Sequence, residues 1–401
     1  MKVFRFILLF CIASILFLIS GCNDTPNSVG KGSLKQEDFG VVHIDTFYAT
    51  GHSSLPNEIF TTSIDRFMLG QYKTYQAWTC LKFYNWPDSL IGVTITSATI
   101  HLRSVYHFGD SLAPLAFNVY CAVSNLFLSD SLTYDSLKLN SVNSVNGIYY
   151  NSNKQVGSFQ STSSGDTDAI TISNLDTTML RKWFSTNTDT TDLNDGLVLR
   201  PTNSNIIKGF YSFNNSDTSL VPTLYITYID TNGNSNSYSH KIGFSEYVST
   251  VNQANLITDN NLIYVQNGIS YRGLVSFDSI PMAWPVSVHR AVLQVTLNSS
   301  QSSAQFTPFA HDTMYALSVG TNLQSDGGAY GLSLRNDSSG YPTYSFEIRP
   351  IVIRMLSNAS IRKVALSGYS ESTSFDLHSL YGAIPDKKLK PRIIITYSVQ
   401  R

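Results

Sequence analysis

The sequence predicts an all-β protein built as two tandem antiparallel β-sandwich (jelly-roll-like) domains, each with one short helix. Three observations carry that reading. Only 14% of the 401 residues are charged, against a usual ~25%, while 23 Tyr and 22 Phe accompany abundant Ser, Thr and Asn. That mixture favours strands and turns over helices. Apolar residues alternate with polar ones over many short stretches, the pattern of strands with one face in a core. And one closing phrase is used twice, PTLYITY at 222–228 and PRIIITY at 391–397.

In chain order, the first element is an export signal. Residues 1–22 read MKVFRFILLFCIASILFLISGC. Lys2 and Arg5 form a basic start, and 6–19 is an apolar run short of the ~20 residues that span a bilayer. Ile19-Ser20-Gly21-Cys22 resembles the lipobox of bacterial lipoproteins, which implies lipidation of Cys22. Each buried CH₂ of an acyl chain contributes about 0.8 kcal/mol, so several chains anchor firmly. Residues 23–40 open on NDTPNSVGKGS and read as a flexible tether. The implied address is the bacterial cell envelope, lipid-anchored and extracytoplasmic. Cys80 and Cys121 remain after Cys11 leaves and Cys22 is acylated; buried thiols are preferred to a disulfide, because the second half has no cysteine.

The first sandwich is expected over 41–229, a linker over 230–242 and the second sandwich over 243–401. Two long passages match, CLKFYNWPDSLIGVTITSATIHL at 80–102 and LVSFDSIPMAWPVSVHRAVLQVTL at 274–297. Each has a strand ending in Phe (Phe83, Phe277), a Trp-Pro turn (Trp86-Pro87, Trp284-Pro285) and a strand with Ala (Ala98, Ala291) before alternating aliphatics. TTMLRKWF at 177–184 places Met179, Leu180, Trp183 and Phe184 on one helical stripe. Its counterpart PIVIRML at 350–356 starts with Pro, suited to a first helical turn. Short strands follow at 196–201 and 363–368, then the closing phrases. DTNGNSNSYSH at 230–240 is polar and breaker-rich, hence the linker.

These shared positions resemble the DNRLRE domain family of secreted and surface proteins. The resemblance rests on Phe83, the run from Ala98 to Leu102, Trp183, the run from Gly196 to Leu199 and the phrase at 222–228, with Phe277, Ala291 to Val295 and 391–397 in the second half. The second copy lacks the helix tryptophan. The resemblance implies a jelly-roll fold similar to carbohydrate-binding modules, a glycan- or matrix-binding surface role and no established catalytic set.

The residues themselves offer little chemistry. A net charge of −1, from 27 basic and 28 acidic residues, gives no basic footprint for nucleic acid. No nucleophile elbow, zinc helix or phosphate loop is present. Ser360-Ile-Arg-Lys363 spells S-x-x-K without its companion motifs. Asp230-Thr-Asn232-Gly233-Asn234 imitates a calcium loop, but Lys241 stands where the bidentate Glu belongs. Asp189, Asp192 and Asp195 are candidate ligands for a structural Ca²⁺, with a solvated turn preferred; no other cofactor is expected. Sugars stack on aromatic faces, and the candidates are Tyr149, Tyr150, Tyr72, Tyr75, Trp86 and Trp284, each weighed against core or turn packing. Tyr149-Tyr150 has the most polar neighbours. The expectation is a non-enzymatic, lipid-anchored envelope protein whose sandwiches bind a carbohydrate or matrix polymer. The alternative is a structural or assembly lipoprotein that spaces or docks proteins. The expected partners are the membrane, through the lipid on Cys22, and a polysaccharide or surface protein.

Overall fold

A computed structural model describes residues 41–399 except 57–60, 62–63, 123–149, 162–168, 185–195, 203, 252–258, 269–270, 283–284, 303–312, 321–324, 337–339, 359–360 and 370. Among the described residues the chain is antiparallel β with two short helices, an all-β sandwich fold. No described helix is long and apolar enough to cross a membrane.

Two strands come first, β1 (Val42–Tyr48) and β2 (Gly51–Pro56). There follow β3 (Arg66–Tyr72), β4 (Tyr75–Lys82), β5 (Thr94–Gly109), β6 (Ala116–Ala122), β7 (Tyr150–Gln160), β8 (Ala169–Ile172), α1 (Thr177–Trp183), β9 (Leu197–Pro201), β10 (Ile206–Tyr211) and β11 (Thr223–Ile229). Two further strands, β12 (Ser235–Lys241) and β13 (Phe244–Val251), precede the second series. That series is β14 (Leu262–Gln266), β15 (Tyr271–Ser276), β16 (Val286–Thr296), β17 (Thr313–Val319), β18 (Ser325–Asn336), β19 (Thr343–Glu347), α2 (Arg349–Ser357), β20 (Lys363–Gly368), β21 (Leu377–Tyr381) and β22 (Arg392–Val399).

The two series are wired alike. The first sheet runs β12-β11-β5-β10-β3-β4-β9-β6-β7, with β13 on β4 and β8 on β5. The second runs β1-β22-β16-β19-β18-β17-β20-β15-β14-β21, with β2 on β15. Thus β3–β4–β9–β6–β7 in the first corresponds to β14–β15–β20–β17–β18 in the second. The pairing of β10 with the far end of β5 shrinks in the second series to one bridge, Leu297↔Leu380.

Local chemistry explains the elements. In β5, Ile95, Ala98, Ile100, Leu102, Tyr106 and Phe108 are buried while Thr94, Thr96, Ser97, His101 and Arg103 face water. This long strand serves β11 and β8 with its first part and β10 with its last, so it turns the corner between layers. Asp176 caps α1 by accepting from the Thr178 N–H, and Met179, Leu180 and Trp183 close over the core. In α2, Pro350 sits in the first turn and Ile351, Val352 and Met355 are buried. Gly70, at φ +140, lies where a Cβ would stand 2.2 Å from the Ile206 carbonyl oxygen, so β3 and β10 approach closely only because it is glycine.

By packing, the described residues of Met1–Asp45, Pro281–Arg290 and Ile395–Arg401 cluster as one compact unit, and those of Thr46–Ile280 with Ala291–Ile394 as the other. Within the first, the Tyr397 hydroxyl donates to Asp45 Oδ2 at 2.6 Å, His43 stacks on the Tyr397 ring, and His289 Nε2 lies 3.0 Å from Ser398 Oγ. Within the second, one large core joins Phe67, Phe83, Ile100, Leu180, Trp183 and Phe210 to Tyr247, Tyr271 and Phe375.

The segment expected to be a linker is ordered strand. Asp230 makes the turn after β11, and β12 then pairs along the whole of β11, from Ile229↔Ser235 to Thr223↔Lys241. Polarity there reflects an edge hairpin rather than a loose connection: the strand turns only Tyr238 and His240 inward and is otherwise Ser, Asn and Lys facing water.

Candidate functional site

Three of the aromatic candidates for sugar stacking are described with side chains, and all three are packed. Tyr75 is buried, edge-on to Phe108 and Phe375. Tyr72 is half-buried, edge-on to Phe108, with Lys73 Nζ 5.0 Å from its ring centre. Trp86 lies between Phe184 and His240, at 4.6 and 4.4 Å between ring centres, and tilts toward Trp183 at 6.2 Å. Its indole N–H is buried without a hydrogen-bond partner. The Trp-Pro turn of the first copy is therefore a packed corner, closed by His240 of β12. Tyr149, Trp284, Asp189, Asp192, Asp195 and Cys22 lie outside the described residues. Tyr150 opens β7, where it pairs with Ala122.

The described residues contain no cluster of His, Cys, Asp or Glu suited to a metal. The Asp230 turn shows why that sequence only imitates a calcium loop. Its carboxylate accepts from Asn232 N, Asn234 N, Asn234 Nδ2 and Asn236 Nδ2. Those N–H groups, the Asn234 backbone first, hold the acid below its usual range, and they present hydrogens where a cation would need oxygens. Cys80 and Cys121 cannot bridge. Cys80 pairs across to Val198 and Cys121 to Leu197, neighbours on β9 whose side chains leave opposite faces, with β9 between the two cysteine strands.

The most elaborate polar site is one the sequence did not announce. Between β20 and β21 the second series carries the loop 369–376, YSESTSFD, where the first has only 202–205. This loop enters the first series. Phe375 is fully buried, with ring centres at 5.8 Å from Phe108, 6.4 Å from Tyr75 and 6.5 Å from Tyr247. The Phe375 N–H donates to the Tyr106 hydroxyl at 2.9 Å, and that hydroxyl donates to Asp376 Oδ1 at 3.3 Å. The Tyr247 hydroxyl donates to the Ser372 carbonyl at 2.6 Å, and Arg66 Nη1 to the Thr373 carbonyl at 3.0 Å. Arg66 also stands over the Tyr106 ring. At the rim, Arg272 clamps Glu371 through two hydrogen bonds of 2.9 and 2.8 Å.

Electrostatically this is a closed site. Burial raises the Tyr106 phenol well above its ordinary value, with Asp376 adding to the effect, and burial raises Tyr247 as well. Burial lowers the Arg66 guanidinium, against the pull of Tyr106, Tyr211 and Asp376. The phenols stay protonated and donate. Each of these groups meets a partner from another part of the chain. A possible sequence cue was the length difference between the two β-to-β connections, visible once the copies are aligned.

The second element of the site is a pair of crossed strands. β13, ahead of the second series, pairs with β4 of the first. β2, ahead of the first series, pairs with β15 of the second. Tyr247 on β13 is held there by Thr61, whose hydroxyl donates to the Tyr247 carbonyl and accepts from the Tyr247 N–H.

No family model matches the chain. No curated protein matches it. Among solved structures it is similar to "BspA_C_mut" at 9% identity, over 88% of this chain and 92% of that one, with a TM-score of 0.15. It is also similar to the Macrobrachium rosenbergii nodavirus structure at 9% identity, over 91% of each, with a TM-score of 0.13. Scores of that size carry no argument about fold or role.

Proposed function

We propose that this chain is a non-catalytic structural and assembly lipoprotein of the bacterial cell envelope, anchored through Cys22, with two tandem sandwich copies acting as a docking and spacing module. One observation carries the choice over sugar binding. Tyr72, Tyr75 and Trp86, the candidates whose side chains are described, are spent on internal packing, while the polar groups around Phe375 join the two series. A protein in which these three candidate rings face inward is read as offering a partner its strand edges and backbone.

Sugar binding keeps one specific foothold. Tyr225 is 45% exposed on β11 and lies 4.5 Å from the His101 ring on β5, flanked across the strands by Thr99 and Ser239. That is a flat, exposed aromatic face with hydroxyls around it.

Retention of residues 41–401 on a panel of polysaccharides, with and without calcium, separates the two. The assembly reading expects no saturable retention of the folded protein. Retention that disappears in Tyr225→Ala would transfer the assignment to glycan binding, and retention lost on changing Tyr149 and Tyr150 would move the site to β7.

A further inference from the structure

We propose that Val42–Pro56 is an exchangeable arm, and that the protein pairs with a second copy of itself by laying this arm on that copy's β15. The proposal deepens the assembly reading and rests on it.

The two strand pairs β1–β2 and β12–β13 are the same part used twice. Gly51 stands opposite Ser276 as Phe244 stands opposite Lys82, each one residue before the strand-ending Phe277 or Phe83. The Thr50 N–H donates to the Ser276 carbonyl at 2.9 Å, and the Gly243 N–H to the Lys82 carbonyl at 3.0 Å. One residue earlier, Ala49 N–H donates to the Pro391 carbonyl at 2.8 Å and Ile242 N–H to the Pro222 carbonyl at 2.9 Å. Those prolines open the two closing phrases. Each copy is thus completed by the arm that precedes the other copy. A reciprocal exchange within one chain has the geometry that, between chains, is domain swapping.

The two arms are not held equally. At the position where β13 has Tyr247, fully buried and bonded to Ser372, β2 has Ser54. Among the described side chains of the first arm only Ala49 is fully buried, and Val42 and Ile44 are 59% and 68% exposed. What fixes β2 is backbone pairing, the partly buried Leu55 against Leu274, Val319 and Ala365, and a few polar contacts. Ser54 Oγ accepts from the Tyr264 N–H, His52 Nδ1 accepts from the Ala383 N–H, and His52 Nε2 donates to the Asn260 carbonyl. Backbone pairing supplemented by a single partly buried side chain is the mode by which one chain adds a strand to another's sheet. Any copy of the chain offers the same arm in the same register, so a second copy is the occupant that fits. Closure within one chain wins when molecules are sparse, and exchange gains as they crowd on a surface.

The register supplies the test. A Cβ built on Gly51 lies 3.6 Å from Ser276 Cβ, within the span of a disulfide. Full-length chains are prepared in detergent, one carrying Gly51→Cys and another Ser276→Cys, then mixed at rising concentration under mild oxidation. The expected result is a 51–276 crosslink joining two chains, verified by peptide mapping, in a yield that grows with concentration. His52→Ala in the arm donor is expected to speed it at least about fivefold, since it removes two hydrogen bonds. A chain carrying both cysteines is expected to close on itself when dilute. Self-closure of the double variant with no crosslink between single variants at any concentration overturns the exchange and leaves the assembly reading standing. Absence of both crosslinks overturns the arm pairing itself. Saturable polysaccharide retention overturns the assembly reading, whatever the crosslinks show.

Discussion

Replacing Phe375 with Ala tests whether the two copies fold as one body. The ring is fully buried among Tyr75, Phe108 and Tyr247, all from outside its own series. Burying an aromatic ring removes about 150–250 Å² from water, worth ~4–6 kcal/mol at ~25 cal/mol/Å². Measured Phe→Ala changes in cores cost ~3–5 kcal/mol, because neighbours relax only in part. The backbone N–H that donates to Tyr106 survives the change, so the lower end, about 3 kcal/mol, is the floor. Urea unfolding followed by both tyrosine-dominated near-UV circular dichroism and far-UV signal gives the free energy. The expectation is one transition for both probes, shifted by at least that floor. Two separable transitions, only the second moved, or a shift under ~1 kcal/mol would refute the claim that the 369–376 loop is part of the first copy's core.

Other perturbations follow from the same geometry. Tyr106→Phe deletes the hydroxyl shared by Phe375 N–H and Asp376, at a cost of about 1–3 kcal/mol in the same unfolding assay. Because burial raises the Tyr106 and Tyr247 phenols above 10.0, the stability they contribute is complete below that pH. It is lost as pH rises beyond 10.0, since the unfolded phenols then ionise and the folded ones do not; ultraviolet titration should show both ionising only with unfolding. Burial lowers His240, so its contribution is present above pH 6.5 and falls away as pH drops through and below that value; His240→Phe should flatten this part of the acid profile. Gly70→Ala forces a Cβ to 2.2 Å from the Ile206 carbonyl oxygen, and thermal melting should show a loss of at least about 3 kcal/mol or no folded protein. Cys22→Ala should abolish labelling by radioactive palmitate, and persistent labelling would remove the lipid anchor from the reading.

Much of the fold was legible because strands advertise themselves. Alternation in residues 94–102 and 286–296 follows from one-sided burial, and the helical stripe at Met179, Leu180 and Trp183 from the same cause at a different period. The closing phrases were visible since their alternate positions, Leu224 and Ile226 or Ile393 and Ile395, are buried in both sheets. The site was less legible. Trp86 reads as a sugar platform or a corner from its neighbours alone; His240, 154 residues onward, closes that corner, and no local pattern connects the two. The strands at 235–241 and 51–56 escaped notice because edge strands bury little and so need no apolar alternation. Phe375 sits in a Ser-rich loop, where a lone aromatic gives no hint of the core it enters.

The pairing of Thr50 with Ser276 joins residues 226 apart. At synthesis rates of about 5–20 residues per second, the first arm waits on the order of 10–45 seconds before its partner strand exists. The second arm follows the strand it completes and needs no such delay. For that interval the newborn protein carries a first series that β13 can seal once it emerges but whose core still lacks Phe375, and a bare edge strand near its start. That strand has to be kept from other nascent edges, and the crowding of many ribosomes on one message sets how often this fails.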